Sequence, residues 1–265
     1  MKAGQLLMDT IAQFKDSGIA SARLDALLLL EAVTGKDRSF LLAHEDYELD
    51  QNQHDRFKAF AAKRAKRLPV AYILGQKEFC GIDFFVSQSS LVPRIETENM
   101  VEYIISSLPD SAKLVDVGTG SGVIAVCVKF KRPDLIVAAC DISADTLVVA
   151  QKNALAHNVS IDFIKSDLLE SVPGKFDLIA ANLPYVPDGR ALAPEVEYEP
   201  ALALFGGIDG LDGYRRLLKQ AREHLSPGGV LLIEHEPGQL KSLEHLSAKA
   251  GFKLSSVSDY ISKLA

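Results

Sequence analysis

The sequence predicts an α/β fold, in which a mostly parallel β-sheet is covered by helices on both faces and is preceded by a small all-helical domain and a connecting β-hairpin. Two observations support this prediction. Through residues 1–72 apolar residues recur at helical spacing, whereas after residue 113 strand-like segments alternate with helical ones. The chain has 265 residues, of which 48% are hydrophobic and 24% charged, so it is long and apolar enough to bury a substantial core.

Residues 1–72 are expected to form the helical domain. The apolar positions that predict its first two helices are Leu6, Leu7, Ile11, Phe14, Leu24, Leu27 and Leu28. Gly18 and Gly35 stand where these helices should end. A basic cluster follows, made of Lys63, Arg64, Lys66 and Arg67. Such a cluster fits either a solvated helix face or a docking patch for an acidic or RNA-bound partner.

Residues 73–92 are expected to form a linker hairpin, because Glu78–Cys80 and Phe84–Val86 are short strand-like runs on either side of a turn. The third region, residues 93–265, carries the repeated strand, loop and helix pattern of a parallel sheet. Its strand candidates are Lys113–Val117, Leu135–Cys140, Ile161–Lys165, Phe176–Ala181, Val230–Glu234 and Phe252–Val257.

Charge and composition argue against several classes of protein. The net charge of −6 argues against direct, electrostatically driven binding of nucleic acid. No uninterrupted apolar stretch has the length of a signal peptide or a membrane span, so we expect a cytoplasmic protein that does not bind membranes. The three cysteines lack CxxC spacing and the histidines show no ligand arrangement, so no metal is expected.

A glycine-rich loop follows the first strand of the predicted sheet, at Asp116-Val117-Gly118-Thr119-Gly120-Ser121-Gly122. Glycines there allow a sharp turn and let a ligand approach main-chain atoms closely. Asp141 follows Gly122 by 19 residues, at the end of the second strand, where a carboxylate can accept hydrogen bonds from both hydroxyls of a ribose. Each feature alone fits a structural turn or a helix cap, but together they predict a site for a nucleoside cofactor.

The glycine spacing discriminates between such cofactors. A dinucleotide loop needs its third glycine where this chain has Val123, so a nicotinamide-dependent dehydrogenase is a weak alternative. The observed loop resembles the first motif of class I S-adenosylmethionine-dependent methyltransferases. That resemblance implies a Rossmann-like fold in which Asp116 helps to hold the methionine end of the cofactor. Asp167 and Leu168 resemble the segment that flanks the adenine in these enzymes, although a surface acid beside a packing leucine would fit as well.

The segment Asn182-Leu183-Pro184-Tyr185 follows the fourth predicted strand. It resembles the motif by which some methyltransferases modify planar NH2 groups, and a simple turn is the alternative. The nitrogen of such a group is a weak nucleophile because its lone pair is delocalised. Two acceptors on its hydrogens would orient the nitrogen and weaken that delocalisation. The side-chain oxygen of Asn182 and the carbonyl of Leu183 are the candidates, and Tyr185 can pack on the planar group.

Motifs along nearly the whole chain resemble the bacterial release-factor glutamine N5-methyltransferase family (PrmC, also called HemK). They are Arg23–Ala26, Pro69–Phe79, Val92–Glu98, Glu199–Leu202 and Gly206–Arg215. The resemblance implies transfer of a methyl group from S-adenosylmethionine to the glutamine of the Gly-Gly-Gln motif in class 1 peptide chain release factors, with S-adenosylhomocysteine as the product. It also implies that residues 1–72 bind the release factor.

The same resemblance implies the residues of the site. The cofactor would be bound by Asp116, Gly118, Thr119, Gly120, Ser121, Gly122, Asp141, Asp167, Leu168 and Asn182. The substrate glutamine would be held by Asn182, Leu183, Pro184 and Tyr185. Arg94 and Glu96 would close over cofactor or substrate, unless they form only a surface ion-pair cluster with Glu98. Glu234, at a strand end, is expected to serve packing or capping rather than catalysis.

Several positions depart from the family pattern. Leu183 and Ile95 replace prolines, and we expect the acceptor loop to be less rigid at Leu183 but functional. Leu168 stands at a position where the family can have an aromatic residue. The closing strand of the sheet, expected after Asp259-Tyr260, is predicted to be short or truncated, and the sequence does not assign its pairing.

Two other functions fit parts of the pattern. One is an adenine-N6 methyltransferase that acts on rRNA or DNA, and the other is a non-catalytic cofactor-binding protein that docks on translation factors. The acidic charge disfavours the first, and rRNA dimethylases carry their helical domain after the catalytic one. The non-catalytic protein remains an alternative because Leu183 replaces a proline of the acceptor motif.

Overall fold

The computed structural model describes residues 1–265, the whole chain, and divides it into two compact units. The helical unit consists of Met1–Gly75 together with Leu192–Tyr198. The sheet unit consists of Gln76–Ala191 and Glu199–Ala265. The helical unit is thus built from two separate stretches of the chain. None of the helices combines the length and the apolar character that crossing a membrane requires.

The helical unit contains five α-helices and one short 3-10 helix. They are α1 (Ala3–Asp16), α2 (Ala22–Thr34), α3 (Arg38–Ala43), α4 (Gln51–Ala65), α5 (Val70–Leu74) and the 3-10 helix Val196–Tyr198. Side chains cap two of them: Asp37 accepts the N–H of Phe40 in α3, and Asp50 accepts the N–H of Gln53 in α4. Gly35 adopts a φ of +67° and ends α2, as its position in the sequence predicts.

Helix α2 buries only part of the predicted face, since Leu27 is buried as the spacing predicts but Leu28 is only half-buried. Its buried positions include Ala26, Leu30 and Val33, whereas Leu24 is 46% exposed. Four consecutive leucines, Leu27–Leu30, make this helix apolar on most sides, so their spacing does not define which side faces inward.

Two arginines of the basic cluster take part in an ion-pair network within the helical unit. Arg64 is only 4% exposed, and its Nε donates to Asp25 Oδ2 at 2.8 Å. Its Nη2 donates to Glu195 Oε1 at 2.9 Å, and Arg67 Nη2 donates to Glu195 Oε2 at 2.8 Å. Burial raises the pKa of Glu195, but the hydrogen bonds from Arg67 and Arg64 outweigh it and hold that pKa below its usual value. These two arginines are therefore structural and are not available as a docking patch.

The sheet unit begins with a hairpin of β1 (Gln76–Phe79) and β2 (Ile82–Phe85), which pair antiparallel. Cys80 and Gly81 form its two-residue turn, and both have positive φ, as a type I′ turn requires. The sequence pattern predicts the turn at residues 81–83, so the observed turn begins one residue earlier.

The main sheet contains seven strands. They are β3 (Lys113–Val117), β4 (Ile136–Asp141), β5 (Asp162–Lys165), β6 (Phe176–Ala181), β7 (Leu225–Glu234), β8 (Leu254–Ser256) and β9 (Ile261–Leu264). Their order across the sheet is β5-β4-β3-β6-β7-β9-β8. Strands β3 to β7 pair in parallel, while β9 is antiparallel to both β7 and β8. The mostly parallel sheet confirms the predicted fold class.

Helices cover both faces of this sheet. They are α6 (Glu98–Ser107), α7 (Val123–Lys131), α8 (Ala144–Ala156), α9 (Ala201–Leu204), α10 (Asp212–His224) and α11 (Leu240–Lys249), with short 3-10 helices at Ile95–Thr97 and Pro237–Gln239. Side chains alternate between two cores along each strand, so that Leu114 and Leu178 pack on one face and Val115 and Ile179 on the other.

The closing strand β9 is present and short, which is one of the two outcomes that the sequence analysis expects. It spans four residues and pairs with β7, from Leu231 opposite Leu264 to Glu234 opposite Ile261. Its other side pairs with β8, so that β8, not β9, forms this edge of the sheet. Ile261 and Leu264 are fully buried, which anchors the strand despite its length.

Strand β3 lies at the centre of the sheet, between β4 and β6. The chain runs outward from β3 to β4 and β5 on one side, and then to β6 and β7 on the other. In open α/β sheets, ligands bind outside the carboxyl ends of the strands at such a reversal of strand order. The fold therefore directs attention to the residues that follow β3, β4 and β6.

Candidate active site

A cavity of about 440 Å³ opens beyond the carboxyl ends of β3, β4 and β6, entirely within the sheet unit. This volume lies in the range of small-molecule sites. Among the sequence-predicted residues, its lining includes Arg94, Gly118, Thr119, Gly120, Ser121, Asp141, Asp167, Leu168, Asn182, Leu183 and Pro184. The structure therefore brings together most of the predicted cofactor and acceptor residues in one cavity.

The glycine-rich loop packs too tightly for side chains at two of its glycines. Gly118 has a φ of +71°, and a Cβ there would lie 2.9 Å from the side chain of Leu183. Gly122 has a φ of +85° and packs in the same way against Ala150 of α8, outside the cavity lining. Gly120, by contrast, has open space where a Cβ would stand. The loop thus presents bare main chain to the cavity.

Asp116 lies beneath this loop and does not line the cavity. Its Oδ2 accepts hydrogen bonds from Thr119 Oγ1 at 2.6 Å and from the N–H of Ala125 at 3.3 Å, while its Oδ1 is buried without a partner. Burial raises the pKa of Asp116 to about 7, and the charge of Asp141 adds to that rise. The hydrogen bonds from Thr119 and Ala125 oppose it. Asp116 thus braces the loop from below.

Asp141 ends β4 and faces the cavity. Its Oδ2 accepts the N–H of Gly120 at 3.1 Å, and its Oδ1 accepts the N–H of Ser143 at 2.9 Å. Burial raises the pKa of Asp141, and these main-chain donors work against the rise. A carboxylate offers about four lone-pair sites, so the side chain can still accept hydrogen bonds from hydroxyl groups in the cavity.

Asp167 and Leu168 lie side by side in the cavity lining. Asp167 pairs with Arg216 Nη2 at 2.6 Å. Leu168 adopts a φ of +53°, a left-handed conformation that costs a non-glycine residue roughly 1–2 kcal/mol. Its carbonyl accepts the Cys140 thiol at 3.2 Å, which helps to hold it there. Asp167 is therefore ion-paired, and Leu168 is partly buried against the core of the sheet unit.

The acceptor loop leaves β6 at Asn182, and its main chain is enclosed by neighbouring elements. The N–H of Leu183 donates to the hydroxyl oxygen of Tyr214 at 3.2 Å, and Tyr214 in turn donates to the main-chain oxygen of Glu234. The carbonyl of Leu183 also lies 3.3 Å from that hydroxyl. A carbonyl oxygen has two lone pairs, so this contact leaves Leu183 able to accept a second hydrogen bond.

Glycines of the Gly206–Arg215 motif pack against the next two carbonyls of the acceptor loop. A Cβ on Gly206 would collide with the carbonyl oxygen of Pro184, and a Cβ on Gly210 with that of Tyr185. The amide of Gln239 donates to the same Tyr185 oxygen at 2.8 Å. The glycines are therefore needed for this close approach.

Tyr185 itself is not part of the cavity lining. It is half-buried, and burial together with the charge of Glu234 raises the pKa of its hydroxyl. Its side chain lies close enough to Glu234 for a hydrogen bond that lowers the pKa of that carboxyl. Tyr185 thus interacts with Glu234, and its packing on a planar substrate stays a prediction.

Arg94, Glu96 and Glu98 do not form the ion-pair cluster that was the alternative to a functional role. Arg94 lines the cavity and donates to Glu199 Oε1 at 2.6 Å. Glu98 instead accepts the N–H of Cys80 at 2.8 Å. Glu96 lies outside the main cavity and borders a separate cleft with Glu98.

Glu234 is the residue of this site that the sequence pattern assigned only to packing or capping. It is 1% exposed, and its Oε2 accepts the Thr97 hydroxyl at 2.7 Å. The same Thr97 oxygen accepts from Asn182 Nδ2 at 3.2 Å. Burial, with a contribution from Glu96, raises the pKa of Glu234 to about 7, while hydrogen bonding from Thr97, Asn182 and Tyr185 opposes the rise.

Strand register explains why Glu234 reaches the acceptor loop. In the parallel pair of β6 and β7, Ala181 lies opposite Ile233. The next residues, Asn182 just after β6 and Glu234 at the end of β7, therefore lie side by side. The position of Glu234 at the end of a predicted strand was visible in the sequence, but the pairing of β6 with β7 was not.

Comparison with known proteins identifies similar sequences over almost the entire chain. A PrmC N-terminal domain model matches residues 5–75, and a methyltransferase small domain model matches residues 95–197. The chain is 41% identical over 241 residues to a release factor glutamine methyltransferase of Geobacter sulfurreducens, covering 89% of this chain and 85% of that one. It is 35% identical over 257 residues to the protein of the same name from Deinococcus radiodurans, covering 96% and 92%.

Solved structures of methyltransferases resemble the fold. A ribosomal protein L11 methylase from Lactobacillus delbrueckii subsp. bulgaricus matches with a TM-score of 0.50 and 25% identity, over 64% of this chain and 78% of that one. A methyltransferase from Pyrococcus furiosus matches with a TM-score of 0.53 and 21% identity, over 81% and 97%. The second similarity concerns the fold alone.

Proposed function

The chain belongs to the release factor glutamine methyltransferase family, and from that premise we propose how its site performs the reaction. The methyl group passes from S-adenosylmethionine to the side-chain amide nitrogen of the glutamine in the Gly-Gly-Gln motif of class 1 peptide chain release factors. S-adenosylhomocysteine is left as the product. The observation that carries this proposal is that Asp141 and Asn182 line one cavity.

The residues of the cavity fit S-adenosylmethionine. Asp141 has lone pairs free for the hydroxyls of a ribose, and Gly118 and Gly120 leave the main chain accessible. Ile142 and Leu168 offer apolar surface for a base. Asp116 contributes indirectly, by bracing the loop. When bound, the cofactor supplies an electrophilic methyl group on a sulfonium.

The acceptor residues address the weakness of an amide nitrogen as a nucleophile. The Asn182 side-chain oxygen and the Leu183 carbonyl each accept one hydrogen of the glutamine NH2. Held by two acceptors, the nitrogen turns its lone pair toward the methyl donor and loses part of its delocalisation into the carbonyl. Pro184 lines the cavity beside them and fixes the chain direction. The extra proton leaves the nitrogen once it is methylated, when it has become acidic.

The helical unit is proposed to bind the release factor. Support comes from the match of the PrmC N-terminal domain model to residues 5–75, which nearly coincides with the first stretch of this unit. The unit has its own apolar core and its own ion-pair network, so it can present a fixed surface to a protein substrate. We place the reaction in the cytoplasm.

The two other functions that the sequence left open are not favoured. Relatives that match most of the chain are named for glutamine methylation of release factors, and the net charge of −6 is unsuited to a nucleic-acid substrate. The acceptor loop also retains its main-chain acceptor in spite of Leu183.

Transfer of labelled methyl groups tests the proposal. The purified protein is incubated with labelled S-adenosylmethionine and a class 1 release factor, and the label is located by peptide mass spectrometry. We expect one methyl group on the glutamine of the Gly-Gly-Gln motif, and none on a release factor in which that glutamine is replaced. Asn182→Ala should abolish turnover, while Glu223→Ala, at an exposed position of α10 outside the cavity lining, should not. Label found on nucleic acid instead would select the adenine methyltransferase.

A further inference from the structure

A short chain of hydrogen bonds lies behind the acceptor loop. Thr97 stands just before α6, and its hydroxyl bridges Glu234 of β7 and Asn182 after β6. Thr97 and Glu234 are both buried. Glu234 does not line the cavity, so it reaches a bound substrate only through its neighbours.

The direction of these hydrogen bonds follows from the number of protons available. The Thr97 hydroxyl has one proton, which it donates to Glu234 Oε2 at 2.7 Å. Toward Asn182 it therefore presents only lone pairs. The NH2 group of Asn182 satisfies them at 3.2 Å, whereas the amide oxygen in that position would repel them.

Shape alone would not orient this carboxamide. The oxygen and the NH2 group of an asparagine are nearly equal in size, and hydrogen-bond partners decide which way the amide stands. A reversed amide would turn donor hydrogens toward the cavity. Two donors would then face each other, because the glutamine nitrogen also carries hydrogens.

We propose that Glu234, together with Thr97, is a positioning residue that keeps the oxygen of Asn182 turned toward the substrate nitrogen. This inference rests on the proposed function, since it assigns the task of Asn182 to the methyl transfer described above. It explains why a carboxyl without a cationic partner is retained in the interior, where burial of an ionisable group is costly.

Other polar groups around Glu234 are consistent with this role. The Tyr185 side chain hydrogen-bonds to its carboxyl, and Glu96 is the nearby charge that acts on it. Tyr214 is bonded to its main-chain oxygen. The neighbouring His235 points elsewhere, with its Nε2 2.8 Å from Ser262 Oγ. Asn182 also contributes a hydrogen bond to the carboxyl, so Asn182 and the Thr97 hydroxyl together link Glu234 to the cavity.

Paired substitutions test the inference. Thr97→Val and Glu234→Leu each remove one hydrogen-bonding partner at similar volume, and kcat for release-factor methylation should fall about 10- to 100-fold, as for other residues that orient a group in direct contact with substrate. The conservative variants Thr97→Ser and Glu234→Gln keep a hydroxyl and an acceptor oxygen, so they should recover most of the loss. Glu223→Leu, at an exposed position of α10, is the matched control and should keep the wild-type rate.

Two further readouts separate positioning from a general structural effect. The dissociation constant for S-adenosylmethionine should change less than about twofold in all variants, and the double variant Thr97→Val/Glu234→Leu should be no slower than the worse single one, because the two residues act as a unit.

The outcomes distinguish this inference from the proposed function. A wild-type protein that leaves release factors unmethylated overturns the proposed function, and the positioning role with it. A wild-type protein that methylates them, while Thr97→Val and Glu234→Leu keep their kcat or lose cofactor binding instead, overturns only the positioning role.

Discussion

The hydroxyl of Tyr214 accepts the main-chain N–H of Leu183 at 3.2 Å. This contact answers a question that the sequence raises, because leucine introduces an N–H at a position where the family has proline. The hydroxyl is fully buried, and burial raises its pKa well above the ordinary value, so it keeps the proton that it donates to Glu234. Leu183 is thus accommodated by a specific partner.

Tyr214→Phe should destabilise the protein by about 1–3 kcal/mol, because it leaves the N–H of Leu183 and the carbonyl of Glu234 buried without a partner. Urea unfolding measures the change, with Tyr260→Phe, at a more exposed tyrosine, as the control. In a Leu183→Pro background the same substitution should cost less, since proline has no N–H to satisfy. An equal cost in both backgrounds would contradict the assigned contact.

Gly210→Ala should lower both stability and turnover. Gly210 and Gly189 have nearly equal φ values, +74° and +75°, but only Gly210 lies against another main-chain atom, the carbonyl of Tyr185. Gly189→Ala should therefore cost only the left-handed strain, roughly 1–2 kcal/mol, and leave kcat intact. Gly210→Ala adds a collision that displaces the acceptor loop. Thermal unfolding and kcat measured together check this, and equal effects of the two substitutions would refute it.

Arg64→Met should destabilise the helical unit by about 3–5 kcal/mol, because it leaves the nearly buried carboxylate of Asp25 without its cation. Lys63→Met, at an exposed neighbour, should change stability little. Native-state hydrogen exchange can place the loss in the helical unit by monitoring amides of α2 and α4. Unchanged protection there would remove the structural role of Arg64.

Asp116→Asn should change how stability depends on pH. The pKa of Asp116 is raised to about 7 in the folded protein from an ordinary value of 3.8, so between these values the folded state binds more protons than the unfolded one. The protonated Asp116 carboxyl therefore stabilises the folded protein at low pH, and this stabilisation is lost as the pH rises from about 4 to 7. The wild type should lose more stability than Asp116→Asn between pH 5 and pH 8. Asp188→Asn, at an exposed aspartate, serves as the control and should follow the wild type.

Much of the fold was predictable because its strands are buried on both faces and stand out as apolar runs. Strands β3 and β6 have the bounds that the sequence predicts, Lys113–Val117 and Phe176–Ala181. Strand β9 was expected only from the family resemblance and without its pairing, since polar Ser262 and Lys263 separate its two anchoring apolar residues. So short a strand can be recognised only when the neighbouring strands with which it pairs are known.

The residues of the candidate site likewise differ in how far the sequence alone could predict them. Local chemistry in the chain was enough to select the glycine-rich loop, Asp141 and Asn182, because each follows a strand and carries the groups that a ligand needs. The role proposed for Glu234 could not be predicted, since it depends on the strand beside it and on Thr97, which lies far away in sequence. The interaction of Tyr185 with Glu234 could not be predicted, because the motif gives the residue type without the direction of its side chain.

The interrupted path of the chain through the helical unit limits how the protein can be divided. A fragment that begins at Gln76 would keep Glu195 but lose both arginines that neutralise it. The helical unit therefore cannot be exchanged between relatives as a simple N-terminal cassette. Any chimera must also carry over residues 192–198 from the same parent, or recreate their charge pairing in the new host.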